Sequence, residues 1–299
     1  METLPQFETT QTGLLVRAPA KINLSLLIAG KRPDGFHEIE TVMAKVSAYD
    51  EIIIEKGDTA GIDLTCQGSC WAPEGPENLV YRAADLLLQH SRRPANLRIA
   101  LHKNIPAGTG LGTASSDAAA TLLGVAKFLD LKISHNTLTE LAATLGSDVP
   151  FFLQGPLAYC TGRGEKIMNL EHPFHFTALL VIPDLNISTA RVYKHYRHDH
   201  DTYQDLHHKI HNHISKNRID LIAKICANTL SVSCYQLETS LADLKHKLES
   251  LGMGSVCLSG SGSAMYSIVE SGIEEARRIQ RIIERATNCL TRIVTDNRW

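Results

Sequence analysis

Apolar and polar positions first alternate with a period of two. Ile22, Leu24, Leu26 and Ile28 are interleaved with Lys21, Asn23 and Ser25. Successive strand side chains point to opposite faces, so this spacing predicts a strand over 13–28 with one apolar and one polar face. Solvent exposure is the ordinary fate of a lone Lys on such a face. Residues 1–12 are polar and are expected to fray, and residues 29–35 (Ala-Gly-Lys-Arg-Pro-Asp-Gly) read as a turn that delivers Phe36 and His37. Runs at 39–46 and 52–55 predict further strands of an antiparallel sheet. Leu79, Ala83, Leu86 and Leu87 have helical spacing over 77–90, with Asn78 near the start. A strand over 97–103 precedes a glycine-rich loop and a helix over 115–129. A second helix over 134–145 is capped by Ser134 or Asn136 and ends at Gly146; a strand follows at 157–161. The composition changes near 169–173, which divides the chain into 1–168 and 169–299. The C-terminal stretch reads as strand 176–182, helices through 188–230, helix 236–251, strands 255–258 and 264–269, helix 273–286 and strand 290–295. The class is α+β.

The loop over 104–116, Asn-Ile-Pro-Ala-Gly-Thr-Gly-Leu-Gly-Thr-Ala-Ser-Ser, is where chemistry is expected. Gly108, Gly110 and Gly112 permit tight turns and close backbone approach. Ser115, Ser116 and Asp117 stand where a helix takes N-cap side chains. A helix N-terminus presents unpaired N–H groups and partial positive charge, which favour a phosphate. The plainer reading is a strand-to-helix turn with a serine cap. Neither a P-loop ending nor a Gly-x-Gly-x-x-Gly fingerprint is present.

Asp148 lies between a helix-ending Gly and the apolar run Val149-Pro150-Phe151-Phe152, so it is either an N-cap or a functional carboxylate. A second glycine turn, Ser259-Gly260-Ser261-Gly262-Ser263, reads by itself as a hairpin turn. Of 14 histidines, His195, His198, His200, His207, His208, His211 and His213 crowd one stretch. His207 and His211 have metal-ligand spacing on a helix. No Glu joins them in a His-Glu-x-x-His pattern, and Lys194, Arg197 and Lys209 are close in sequence, so a solvated, pH-sensitive surface helix is expected.

Charge narrows the partners. Thirty basic against 32 acidic residues leave a net charge of −2, which recruits neither nucleic acid nor an anionic membrane. Seven scattered cysteines, with no second ligand pair for Cys66-x-x-x-Cys70, predict reduced thiols in a cytoplasmic protein. The N-terminus lacks the basic and apolar regions of a signal peptide, and no apolar run is long enough to span a bilayer.

A phosphate loop, a strand Lys, an Asp at a helix end and an aromatic-His pair together suit phosphoryl transfer. Three segments resemble the signature motifs of the GHMP small-molecule kinase superfamily: Pro19-Ala20-Lys21-Ile22-Asn23-Leu24, the loop from Ile105 to Ala119, and Leu258-Ser259-Gly260-Ser261-Gly262-Ser263. Two more, Arg32 to Glu38 and Leu145 to Phe152, resemble the branch of that superfamily whose acceptor is a CDP-linked sugar alcohol. The likeness runs from about Val16 to Val269.

The resemblance implies a two-domain fold, with an N-terminal domain like the second domain of ribosomal protein S5 and a ferredoxin-like C-terminal domain. It implies an ATP- and Mg2+-dependent kinase acting on the 2-hydroxyl of the erythritol moiety, in non-mevalonate isoprenoid precursor biosynthesis. By that resemblance Asp148 is the base and Lys21 its partner. Asn23, Phe36, His37, Thr189 and Tyr193 hold the CDP-linked substrate, with Phe36 and Tyr193 on the cytosine faces. ATP is assigned to Asn78, Lys103 and the loop residues Pro106, Ala107, Gly108, Thr109, Gly110, Leu111, Gly112, Thr113, Ala114, Ser115 and Ser116. The metal ligands are left unassigned, Ser116 being the candidate. Family members carry more glycine where this chain has Thr113 and Ala114, and a positive φ at Thr113 would be strained. A homoserine- or mevalonate-type kinase and a non-catalytic nucleotide-binding relative are the alternatives. A monomer or weak homodimer is expected.

Overall fold

The computed structural model describes residues 4–171 and 174–299. The end of the expected N-terminal fray (1–3) and two residues of the expected domain junction (172–173) lie outside the described residues. The period-two run becomes β2 (Gly13–Lys31), and one continuous β3 (His37–Lys56) replaces the two shorter strands expected there. Register shifts at Pro19/Ala20, Asn23/Ser25 and Ile28/Gly30 let these long strands bend without breaking. The fraying expected for residues 1–12 is corrected by β1 (Phe7–Thr9), which pairs with Leu14 to Val16 of β2. β4 (Gly61–Gly68), β5 (Asn96–Lys103), β6 (Leu157–Gly162) and β7 (Lys166–Asn169) complete a seven-stranded sheet, in which β4 runs parallel to β5. The sequence reading marks neither β4 nor β7, both half-exposed edge strands, although in β4 Ile62, Leu64 and Cys66 alternate with polar residues.

Four helices pack in this half: α1 (Leu79–Ser91), α2 (Thr113–Phe128), α3 (His135–Leu145) and the single turn α4 (Val149–Phe152). Asn78 caps α1 by accepting from the Val80 N–H at 2.8 Å, and Ser134 caps α3 by accepting from Thr137 N–H at 3.1 Å. Val16, Ile52, Ile54, Leu97 and Ile99 on the sheet meet Val80, Leu87, Leu122 and Val125 on the helices in one buried core.

A second, four-stranded antiparallel sheet has the order β11 (Leu290–Thr295), β8 (Thr177–Ile182), β10 (Met265–Ile268), β9 (Cys257–Leu258). With it come α5 (Thr189–His195), α6 (His200–Ser215), α7 (Ile219–Ile225), α8 (Ser231–Leu237), α9 (Thr239–Ser250) and α10 (Ile273–Ala286). The helix expected over 236–251 is broken at Glu238, whose backbone is extended (φ −138°, ψ 85°).

The two sheets share a core. Ala20, Ile22, Leu24 and Val42 from the first pack with Ala178, Leu180 and Tyr266 from the second. Backbone bonds cross as well, from Leu26 N–H to the Ala227 carbonyl at 2.7 Å and from Thr229 N–H to the Leu26 carbonyl at 2.9 Å. The polar positions of β2, on the opposite face from these apolar ones, are not solvated either, which corrects the half-exposed strand that the alternation suggests. Lys21, Asn23 and Ser25 are all buried. No helix is long and apolar enough to cross a membrane among the described residues. The expectation of reduced thiols throughout is also corrected: Cys226 and Cys257 are joined as a disulfide.

Candidate active site

Two glycine turns distant in sequence interlock at the meeting of the sheets. Gly110 lies so close to the second turn that a Cβ there would stand 2.1 Å from the Ser259 carbonyl oxygen. Ser259 Oγ donates to the Gly110 carbonyl at 2.9 Å, and Ala264 N–H donates to the Thr109 carbonyl at 2.9 Å. The hairpin reading of 259–263 holds for its chain path, but its packing partner is the first loop. Asn228 braces it by donating to the carbonyls of Leu258 and Gly260 at 2.9 and 2.8 Å.

The first loop resolves the question of Thr113. Positive φ falls on Gly108 (74°), Gly110 (82°) and Gly112 (67°), the residues that tolerate it. α2 starts at Thr113 with Gly112 at its N-cap, two residues before the expected start, so Thr113 and Ala114 lie in its first turn without strain. This corrects the serine cap: Ser115, Ser116 and Asp117 are inside the helix. Ser116 Oγ is buried with no hydrogen-bond partner. An orphaned hydroxyl in the first turn of a helix suits a cation's ligand shell or a phosphate oxygen.

Lys21 sits beneath this turn. Its N–H donates to the Leu111 carbonyl at 2.9 Å, and its Nζ donates to Asn23 Oδ1 at 2.5 Å and the Gly110 carbonyl at 2.7 Å. Burial pulls its ammonium below the ordinary lysine value, against the opposing charges of Asp148 and Cys160. Lys21 thus shares a pocket with Asp148 without a direct ion pair between them among the described residues. Asn23 is held on both sides, its Nδ2 donating to Thr41 Oγ1 at 2.8 Å and its carbonyl accepting from Tyr266 at 2.7 Å.

Asp148 occupies the N-cap position of α4 yet makes no side-chain cap bond. Of its two sequence readings, the cap is not realised. Lys45, which nothing in the sequence singles out from its apolar run, fixes the far end of α4. Its buried Nζ donates to the carbonyls of Phe152 at 3.1 Å and Gln154 at 2.7 Å, and burial pulls it down to about 7.

Toward the turn at 32–36, Phe36 is 55% exposed, unusual for a large aromatic, and the Arg163 guanidinium lies over its ring at 5.0 Å. His37 packs on Tyr193 with ring centroids 5.3 Å apart. Burial pushes the Tyr193 phenol up, and the charge of Asp148 adds to it. Thr189 Oγ1 meets Ser261 Oγ at 2.8 Å, tying α5 to the second glycine turn. Lys21, Asn23, Asp148, His37, Tyr193 and Thr189 are thus linked around the two glycine turns, with Phe36 beside His37 in the chain.

Asn78 and Lys103 are placed differently. Both are buried with their polar atoms engaged: Asn78 with Val80 and Pro73, Lys103 with Asp50 and, at 2.9 Å, Asp117. Two carboxylates around one ammonium leave a buried excess of negative charge. Burial and Asp50 push the Asp117 carboxyl up to about 7, against the pull of Lys103. The folded state then binds more protons than the unfolded one between about 3.8 and about 7, so this contribution to stability is lost as pH rises through that window. Asp117→Asn should remove it. The urea midpoint of the variant relative to the parent should be higher at pH 7 than at pH 5; an equal offset at both would show that Asp117 does not titrate there.

Residues 78–156 match the model for the GHMP kinases N terminal domain. A 4-diphosphocytidyl-2-C-methyl-D-erythritol kinase of Geobacter metallireducens is 34% identical over 275 residues, 92% of this chain and 95% of the relative. The chain belongs to this kinase family. The kinase of the same name from Bacillus subtilis is 34% identical over 257 residues, covering 86% of this chain and 88% of the relative. A crystal structure of 4-(cytidine 5'-diphospho)-2C-methyl-D-erythritol kinase superposes with a TM-score of 0.76 at 32% identity, covering 95% of this chain and 99% of that one. A homoserine kinase from Cytophaga hutchinsonii, at 16% identity with a TM-score of 0.73, covering 99% of this chain and 98% of that one, shares the fold. These kinase structures bear out the two-domain α+β GHMP fold class that the motifs implied.

Proposed function

We propose that the chain transfers the γ-phosphoryl group of ATP to the 2-hydroxyl of 4-diphosphocytidyl-2-C-methyl-D-erythritol, a step of non-mevalonate isoprenoid precursor formation. The observation that carries this reading is the exposed Phe36 beside the His37–Tyr193 pair, a ready platform for a pyrimidine, next to Lys21 and Asp148. Residues 1–168 then serve as the ATP-binding and catalytic domain, and residues 169–299 contribute Thr189 and Tyr193 to the substrate.

In this reading the N–H groups of residues 106–116 and the start of α2 bind the triphosphate. Asp148 accepts the acceptor's hydroxyl proton as the new O–P bond forms and the bond to the ADP oxygen breaks. Lys21 supplies positive charge beside the transferred group, while Asn23 orients the acceptor. Ser116 is the side chain that fits Mg2+, which would neutralise phosphate charge when bound.

ADP release with ATP and magnesium, compared across the CDP-linked substrate, homoserine and mevalonate, tests the whole reading. Turnover with the CDP-linked compound alone is expected. Turnover only with homoserine or mevalonate would overturn the role of Phe36 and His37. Silence with all three despite ATP binding would favour a non-catalytic relative.

Phe36→Ala isolates the aromatic's contribution. Stacking contributes roughly 1–3 kcal/mol per base, so substrate affinity should fall by about 5- to 150-fold with ATP affinity unchanged. Calorimetric titration of each ligand checks it, and equal losses for both would place Phe36 outside the cytidine site.

A further inference from the structure

The sequence gives His207 and His211 of the histidine-rich helix α6 metal-ligand spacing, but no Glu joins them in a His-Glu-x-x-His pattern. The fold supplies one from β3. Glu40 Oε2 lies 2.8 Å from His207 Nδ1 and 3.6 Å from His211 Nε2. One ligand atom from each residue falls within 4.8 Å of the others. The two rings share a face of α6, one turn apart, with centroids 4.1 Å apart. We propose that Glu40, His207 and His211 form a binding site for a single divalent transition metal of the zinc class, outside the kinase centre.

Three features support it. Two imidazoles and one carboxylate suit zinc or cobalt, and not magnesium, which prefers oxygen ligands throughout. Bonds of about 2.0–2.1 Å in a tetrahedron separate ligand atoms by about 3.3 Å, between the two distances seen here, so only small side-chain movements are needed. The carboxylate is also oriented from behind: Tyr203 donates to Glu40 Oε1 at 2.9 Å. The fourth position is available to water or to Tyr159, whose hydroxyl is 2.9 Å from His211 Nε2. The expected cationic obstacle is absent at Lys209, which pairs with Asp205 at 2.7 Å where both are exposed. A metal here would join α6 to β3 three residues beyond His37, clamping the second half of the chain to the first.

The test uses the full chain stripped with a chelator and titrated with Co2+ alone, followed by visible absorption and then by displacement with Zn2+. About one Co2+ per chain with tetrahedral-type bands, displaced by Zn2+, is expected. Replacing one ligand should weaken binding by at least about 10–100-fold, the loss typical of disturbing only a metal's outer shell. His211→Ala is the primary variant because His211 is the most exposed of the three, so its loss is expected to disturb the fold least. Glu40→Gln, near-isosteric, tests the carboxylate. A further readout is thermal: Zn2+ should raise the melting midpoint of the parent and not of His211→Ala. Weak, multiple binding unchanged in His211→Ala and Glu40→Gln would overturn the proposal, since the other histidines would then account for it. So would an absence of binding to the parent.

Discussion

Asp148→Asn is expected to lower turnover by about 10²–10⁴-fold while ATP and the acceptor still bind. The substitution conserves volume and removes the proton acceptor together with its negative charge. It should not unfold the site, because the Asp148 side chain makes no cap bond to α4, which is anchored instead through Lys45 at its C-terminal end. The neighbourhood suits a base. Lys21 supplies an opposite charge in the same pocket, and the Cys160 thiol and Tyr193 phenol, both pushed up chiefly by burial, also register the carboxylate's charge. Single-turnover measurement with calorimetric binding of each ligand separates the possibilities. Turnover within a few-fold of the parent would remove Asp148 from the role of base. Loss of binding in proportion to loss of rate would mean that Asp148 positions the substrate and does not take its proton.

Most of the fold's order is legible because the core-facing residues are periodic. Ile273–Ala286 and Leu290–Thr295 emerge with the bounds read from their spacing, and Asn78, Ser134 and Gly146 stop and start helices where their chemistry says they should. The misreadings have a common cause. Period-two alternation reports two different faces but not what covers them. The polar face of β2 has the pattern of a solvated one, yet the first glycine loop lies over it, with Lys21 reaching the Gly110 carbonyl and packing beside Gly112 and Phe152, so Lys21 and Asn23 become buried site residues. The start of α2 is displaced from its expected place because serine is the better cap by itself, while the loop's third glycine takes the left-handed position that ends the turn. Contacts across the sheets have no local signal at all. Thr41 beneath Asn23, Arg163 over Phe36 and Asn228 behind the second glycine turn each depend on register and topology. Arg163 alone carries a hint, standing half-buried between Gly162 and Gly164 at a hairpin turn. Glu40 is the sharpest case, because its partners are more than 160 residues away.

Gly110→Ala is expected to be far more damaging than Gly108→Ala, although both glycines hold left-handed φ values and each substitution carries a similar conformational penalty of about 1–2 kcal/mol. The difference is space. A Cβ at Gly108 meets nothing within 4 Å, whereas one at Gly110 meets the Ser259 carbonyl oxygen at 2.1 Å, an obstacle made of backbone that cannot rotate away. To admit it, the two glycine turns must separate. That breaks the Ser259 Oγ bond to the Gly110 carbonyl, and the same carbonyl holds Lys21 Nζ, so the cation moves with the loop. A displacement of about 1 Å at such a site typically costs about 10²-fold in rate, and kcat/KM for Gly110→Ala should fall at least that far. Its unfolding free energy should drop by roughly 3 kcal/mol or more, in the range of overpacked cores and strained backbone. Gly108→Ala should lose little beyond the conformational penalty. Any rise in its KM for ATP would report that the open space above Gly108 is where the phosphates lie. Urea unfolding and steady-state kinetics on the two variants decide the matter. Equal stability and equal kcat/KM in both would mean that the contact between the turns does not organise the catalytic loop.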